Sequence, residues 1–298
     1  MKNDLSKLDS ILENMEILNK LYDIVRVVDP VKKETIKYYN PKSLSFNDNC
    51  YATWNTGKVC DNCISIRAYN ENKTLTKIEY NQKNIYMVTS TPIPLVEGTY
   101  VIELFKDISD SGVIKDFKNQ DAITISSLIQ GLNSVIVTDE LTKLYNRKFI
   151  NQRLPVDMAR SLLLAQSTSL VMCDIDFFKL VNDNYGHIAG DYVLQEFSAC
   201  LKKFTRSETD WVSRYGGEEF LICLNNTDNE TAVSIIERIR VEVENMEINY
   251  NGNKIKITAS FGICTILNKT VSMNDFIELA DKNLYEAKKT GRNKTIAN

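Results

Sequence analysis

The chain has a single histidine, His187, among 298 residues, and no excess of positive charge. Its 36 Lys and Arg against 39 Asp and Glu leave a net charge of −3. With the histidine in the second half, a metal cage in the first half would have no imidazole to draw on. The acidic balance argues against a general nucleic-acid binder, although a local phosphate site needs only a few cations. No apolar run approaches the roughly 18 residues that suggest a bilayer-crossing helix, so no membrane span is expected. Met1-Lys2-Asn3-Asp4 is not followed by the apolar core of a signal peptide. Seven cysteines, an odd number, suit a reducing compartment better than a disulfide framework. A cytoplasmic protein is expected. At this length, 43% hydrophobic residues can build two domains with cores of their own.

Residues 4–24 read as an amphipathic helix, in which Leu8, Ile11, Met15, Leu18 and Tyr22 recur at spacings of 3 and 4. That pattern is the seam of a short coiled coil or the inner face of a helix packed on its own domain. From 24 to 111 the pattern turns to strands. Residues 23–29 end at Pro30, and 34–39 make a hairpin partner; Leu75–Tyr80, Ile85–Ser90 and Tyr100–Phe105 follow, separated by polar or glycine-containing turns. Two leading strands, an irregular middle and a three-strand meander, leaving through Asp107-Ile108-Ser109, resemble a PAS sensor domain. The middle carries Cys50, Cys60 and Cys63. Three thiolates can hold a metal or an iron–sulfur cluster, though four ligands are the rule. The Cys60-x-x-Cys63 pair can instead be a redox couple, or all three can be reduced and merely packed. Residues 112–138 place Ile125, Leu128, Leu132 and Val135 on one stripe, which fits a signalling helix or a packed linker.

The second half is organised around Arg214-Tyr215-Gly216-Gly217-Glu218-Glu219-Phe220, between two short apolar runs. Paired glycines between strands predict a tight hairpin, because its turn needs positive φ at the centre. Residues 169–176 form another apolar strand, which ends in Asp174-Ile175-Asp176. If the two strands are neighbours, Asp174, Asp176, Glu218 and Glu219 converge at one sheet end. Such hard oxygen donors suit Mg²⁺, which usually takes one or two carboxylates plus substrate phosphates.

Gly216-Gly217-Glu218-Glu219-Phe220 resembles the signature of the GGDEF domains, the diguanylate cyclases. Four further blocks match in order: 139–147, 174–183, 186–191 and 287–293. The resemblance covers 139–298 and implies an α+β, ferredoxin-like palm of the nucleotide-cyclase type behind the PAS-like domain. It implies an enzyme that condenses two GTP into cyclic di-GMP as a homodimer, joined through the helices and the GGDEF domains. The alternative is a catalytically weak domain that binds GTP or docks partners. By resemblance, Asp174, Glu218 and the Ile175 carbonyl hold Mg²⁺ or Mn²⁺, and Glu218 or Glu219 assists deprotonation of the 3′-hydroxyl. Asn182 and Asp191 read guanine, Gly216 and Gly217 shape the GTP site, and Lys179, Lys288 and Arg292 meet the triphosphate. Many relatives carry an inhibitory product site, Arg-x-x-Asp. Here Asp210 is kept, Ser207 stands where the arginine would be, and Arg206 is one step out of register. The domains expected are thus 1–23, 24–111, 112–138 and 139–298.

Overall fold

In a computed structural model the chain divides into two compact units, 1–136 and 137–298. The structure describes residues 16–39, 49–54, 57, 59–95, 98–109, 111, 129, 131 and 136–297. Most of the expected helix 4–24 and of the linker stripe 112–138 lies outside these residues.

In the first unit a short helix α1 (Glu16–Leu21) leads into β1 (Ile24–Asp29) and β2 (Glu34–Tyr38). A 3-10 turn (Cys50–Trp54) and α2 (Ile64–Glu71) occupy the irregular middle, and β3 (Leu75–Tyr80), β4 (Ile85–Leu95) and β5 (Gly98–Asp107) follow. The two last strands run further than their apolar alternation suggested. Their ten-pair antiparallel register carries the ladder through Pro92 and Pro94 as far as Leu95↔Gly98. The five strands form one antiparallel sheet, β2-β1-β5-β4-β3. Ile24, Val88 and Phe105 pack with Trp54 and Ile64, and Trp54 stacks on Phe105 at 5.6 Å. Arg26 is buried within this apolar layer, its Nε donating to Glu103 Oε2 at 2.6 Å and its Nη1 to Thr53 Oγ1 at 2.6 Å.

In the second unit, α3 (Arg147–Leu163) precedes β6 (Thr168–Ile175), α4 (Phe178–Tyr185), α5 (His187–Lys203), β7 (Trp211–Gly216) and β8 (Glu219–Asn225). Then come α6 (Asn229–Asn245), a two-strand ribbon β9 (Ile248–Tyr250) and β10 (Asn253–Ile255), β11 (Ala259–Ile266), α7 (Met273–Lys289) and β12 (Thr295–Ala297). The sheet order is β12-β11-β6-β8-β7, antiparallel except for the β11–β12 pair. Strands β6, β7, β8 and β11 with α5 and α6 make the β-α-β-β-α-β arrangement of ferredoxin-like folds. A separate two-strand ribbon precedes β11, and β12 adds a parallel edge to the sheet.

All eight residues of β6 are buried, because helices cover both faces of the sheet. Val171, Cys173 and Ile175 point to the layer of α4, α5 and α6, with Phe197 and Ile236. Leu170 and Met172 point the other way, to α3 and α7, with Phe149, Leu154, Phe276 and Leu284. Alternation therefore places Asp174 on the α7 side. Local signals delimit these helices. Asn146 caps α3 by accepting from Lys148 and Phe149 N–H, and Asp228 and Ser272 cap α6 and α7. His187, the first residue of α5, follows Gly186, whose φ of +85° occupies the cap position.

Helix α7 lies so close on β11 that Gly262 has no room for a side chain. An added Cβ would stand 2.0 Å from Leu284 N and 2.3 Å from Ala280 O. Asn283 Nδ2 donates to Ile263 O at 2.6 Å across the same contact. Because the obstacle is backbone, Gly262→Ala must push α7 off the sheet. We expect a loss of roughly 2–4 kcal/mol, in the range of overpacked cores and broken buried contacts. Urea unfolding of the two proteins measures it; a midpoint unchanged by the substitution would refute so tight a contact.

Candidate active site

The register of the central strands assembles the acids. Asp174 of β6 stands opposite Glu219 of β8 and, on its other side, opposite Ser260 of β11. Glu218 occupies the β7–β8 turn next to Glu219. The turn residues are Gly217 and Glu218, with φ of +52° at Gly217 alone. Gly216 instead ends β7 beside an irregularity in the ladder, so only one of the two glycines serves the positive-φ role expected of both. The hairpin is buttressed from below. Arg214 Nε donates to Gly217 O at 2.9 Å, and its Nη1 reaches both oxygens of Asp139 at 3.2 and 3.3 Å. Asp139 also accepts from Thr142 N–H and Oγ1. Partial burial disfavours its charge, but these hydrogen bonds and Arg214 prevail and hold its carboxyl below the usual range.

Lys288, in the last turn of α7, places Nζ 2.8 Å from Asp174 Oδ2. Burial pushes the Asp174 carboxyl up to about 6; Lys288 opposes the rise, while Glu218 and Glu219 add to it. Asp176 behaves differently from the expectation that it joins the cluster. Its Oδ1 accepts from Ser260 Oγ at 2.7 Å, and its Oδ2 accepts from Thr258 Oγ1 at 2.8 Å and Asn293 N–H at 3.0 Å. That carboxylate is committed to pinning β11 and the segment after α7. The site cluster is therefore Asp174, Glu218 and Glu219.

Helix α7 ends at Lys289, so Lys288 and Arg292 do not share a helix face. Gly291 (φ +115°) and Arg292 (φ +57°) turn the chain back, with Arg292 N–H bonded to Ala287 O. The Arg292 guanidinium lies 4.5 Å from the centre of the Phe177 ring, in the β6–α4 turn that follows Ile175 at the end of β6. Lys179 is exposed on the first turn of α4. Asn182 of α4 packs on α5 so closely that a Cβ on Gly190 would stand 1.9 Å from its Oδ1, which sets Asn182 beside the turn bearing Asp191. Glu219 also borders a cleft of about 350 Å³ with Glu278 and Asp281 of α7. Its acidic wall disfavours a phosphate chain.

Among the described residues, no three His, Cys, Asp or Glu side chains are gathered into a metal cage. This holds for Cys50, Cys60 and Cys63, which are free thiols. For the acids it fits Mg²⁺, which is seldom held by protein carboxylates alone. Asp210 departs from the open acid expected beside Ser207. Its side chain is 1% exposed and forms a two-point pair with Arg206, Nε to Oδ2 and Nη2 to Oδ1, both 2.8 Å. Arg206 Nη2 further donates to Asn225 O and Thr227 Oγ1. Arg240 is likewise engaged, by Glu237, Glu244 and Asn293. Arg214 and Asp139, both inside the matched sequence blocks, support the hairpin through a contact 75 residues apart that neither residue type reveals by itself.

This sheet end combines clustered carboxylates with a lysine, donor types that suit a divalent ion and phosphate oxygens respectively. The family model described as "Diguanylate cyclase, GGDEF domain" matches residues 136–294, just over half of the chain, and the protein belongs to the GGDEF family. Diguanylate cyclase A of Treponema denticola is 47% identical over 129 residues, covering 43% of this chain and 34% of that protein. The response regulator PleD of Caulobacter vibrioides is 35% identical over 162 residues, covering 54% and 36%. The chain thus spans about a third of the length of these relatives. Among solved structures, the GGDEF domain of DgcB from Caulobacter crescentus, in complex with c-di-GMP, matches with a TM-score of 0.52 at 31% identity, over 54% of this chain and 95% of that one.

The raised Asp174 carboxyl has a stability consequence. Its ionised form is disfavoured in the fold, so folding loses stability as pH rises from the ordinary carboxylate range through about 6. Asp174→Asn removes that penalty. Its melting temperature should exceed the parent's by a few degrees at pH 8 and converge with it near pH 4. A thermal scan across pH that shows Asp174→Asn less stable at pH 8 would mean that the Lys288 pair outweighs the burial.

Proposed function

We propose that this protein is a diguanylate cyclase, joining two GTP molecules into cyclic di-GMP with release of two pyrophosphates, under control of its N-terminal unit. The observation that carries the reading is the in-register pairing of Asp174 with Glu219 beside the Glu218 turn, with Lys288 within 2.8 Å. It is supported by the family membership and by the cyclase names of the relatives. Asp174, Glu218 and the Ile175 carbonyl would hold Mg²⁺ or Mn²⁺. The ion, when bound, neutralises charge developing on the transferred phosphoryl group.

The chain's own residues divide the remaining work. Lys288 and Arg292 bind and orient the triphosphate, and Lys179 adds charge from α4. Asp191 accepts from the paired guanine donors N1–H and the exocyclic amine, which adenine lacks, and Asn182 contacts the same base. Glu218 or Glu219 takes the proton from the attacking 3′-hydroxyl. One GTP per domain requires two domains to face each other, so the working form is a homodimer. The N-terminal unit is read as a PAS-like sensor. Its strand order β2-β1-β5-β4-β3, with the helical middle between β2 and β3, supports that reading.

Purified protein given Mg²⁺ and GTP should release cyclic di-GMP and pyrophosphate. Glu218→Ala should reduce turnover at least 100-fold, the scale of losing a transition-state electrostatic contact, while leaving the circular dichroism spectrum unchanged. Absence of any cyclic dinucleotide at concentrations that favour dimers would leave the GTP-binding module as the better account.

Product control should be weak. With Asp210 neutralised by Arg206 and only a hydroxyl at Ser207, the 206–210 turn offers a dianionic product no free guanidinium fork. Calorimetric titration with cyclic di-GMP should give a dissociation constant above about 1 μM at this turn, equivalent to less than roughly 8 kcal/mol. Tighter binding that disappears in Arg206→Ala would show that the arginine leaves Asp210 to hold product.

A further inference from the structure

The turn after α7, which carries Arg292, adopts a backbone conformation that its residues only partly favour. Gly291, Arg292 and Asn293 follow one another with φ of +115°, +57° and +45°. Glycine suits that region and asparagine tolerates it, but arginine does not, so such a turn persists only where its surroundings over-determine it. Part of the hold comes from nearby chain. Arg292 N–H donates to Ala287 O at 3.0 Å, Asn293 N–H donates to Asp176 Oδ2 at 3.0 Å, and Lys294 O accepts from Phe261 N–H at 2.9 Å.

The rest comes from α6, where Arg240, Glu244 and Asn293 close a ring of hydrogen bonds. Arg240 Nη1 donates to Glu244 Oε2 at 3.0 Å and to Asn293 Oδ1 at 2.9 Å, and Asn293 Nδ2 donates to Glu244 Oε1 at 2.9 Å. Arg240 Nε is taken by Glu237 Oε2 at 2.9 Å. Arg240 and Glu244 stand one turn apart on the helix, so α6 presents guanidinium and carboxylate side by side. An asparagine matches that pair, turning its oxygen to the one and its amide to the other. The guanidinium is already shared between two glutamates and offers a phosphate little net charge. Its part is to hold, not to bind.

We propose that Asn293 is a positioning residue for nucleotide binding: through its ring with Arg240 and Glu244 it fixes the turn that aims Arg292 at the triphosphate. The proposal rests on the reading of Arg292 as a triphosphate contact. It extends the phosphate site to two residues of α6 that touch no nucleotide and lie 53 and 49 positions before Asn293. Asn293→Ala keeps the N–H that Asp176 accepts but removes both side-chain bonds. Arg292 then keeps its charge and loses its fixed direction. Arg240→Ala opens the same ring from the helix and leaves every residue of the turn unchanged.

Calorimetry of the full chain with Mg²⁺ and α,β-methylene GTP, which cannot release pyrophosphate, reads the effect without turnover. Asn293→Ala and Arg240→Ala should each weaken binding about tenfold, the scale of one charge-assisted phosphate contact. Arg240→Lys should not restore it, because an ammonium lacks the planar fork that spans Glu237, Glu244 and Asn293. Arg238→Ala, which removes a guanidinium of the same helix lying 5.5 Å from the Phe204 ring, should bind as the parent does. In an Arg292→Ala background, adding Asn293→Ala should cost less than about twofold, since both act through one contact. The Arg240 variants keep the test decisive even if Asn293→Ala fails to fold. Equal binding by the parent and the alanine variants overturns the positioning role and leaves the GTP site standing. Fully additive losses in the double variant overturn it too, because Asn293 would then act apart from Arg292. A parent that does not bind the analogue refutes the GTP site and this proposal with it. A parent that binds it, shows the expected variant losses and still makes no cyclic di-GMP refutes the cyclase reading alone.

Discussion

The second unit depends on the register that sets Asp174 of β6 across from Glu219 of β8. Burial disfavours the charge of Asp174, and side-by-side carboxylates on one sheet face add to the cost, which together push its carboxyl up to about 6 against the pull of Lys288. The fold tolerates the arrangement because α7 delivers Lys288 to the same spot. That delivery requires α7 to lie against β11, which in turn requires a glycine at 262 and the Asn283 bond to Ile263. Strand pairing, helix packing and site electrostatics are thus one linked constraint. A change that lets α7 drift would strand Asp174 without its cation.

The same strand end also shows how two similar acids acquire different duties. Asp174 lies within the ladder and points at α7, whereas Asp176 lies past the end of β6. There the hydroxyls of Thr258 and Ser260 and the backbone of Asn293 fill its acceptor sites. A carboxylate with three donors already in place has little left for a metal. It still serves the site, since it fixes the segment after α7 that carries Arg292 next to Phe177.

Much of this was legible in the chain. The five ordered motifs held the carboxylates and the cations, and apolar runs marked the strands on either side of the Gly216-Gly217 hairpin and the one that ends at Asp174. What was not legible involves partners distant in sequence. Nothing local distinguishes Asp176 from Asp174, or shows that Arg206 would close on Asp210 and so remove the open acid expected beside Ser207. Arg214 reads as a strand cation until Asp139 arrives from 75 residues away. The doublet Gly216-Gly217 implied a turn but not its phase, because an irregularity in the β7–β8 ladder shifts the tip by one residue. The parallel strand β12 has only three residues, too few to carry a period of its own.

The first unit is organised on a different principle. Its sheet face under α2 is not purely apolar: Arg26 and Glu103 are paired in register on β1 and β5, and Ser65 of α2 donates to the same carboxylate. Burying an ion pair gains little net stability over an apolar core, yet leaving either partner alone is costly, so the pair fixes how α2 and the 3-10 turn sit on the sheet. Glu103 also spreads a negative potential over the adjacent sulfurs, disfavouring thiolates at Cys50 and Cys63 alike. Burial acts in the same direction at Cys50 and raises its thiol above the ordinary range, so the carboxylate that helps seat the 3-10 turn also helps keep that turn's own cysteine protonated.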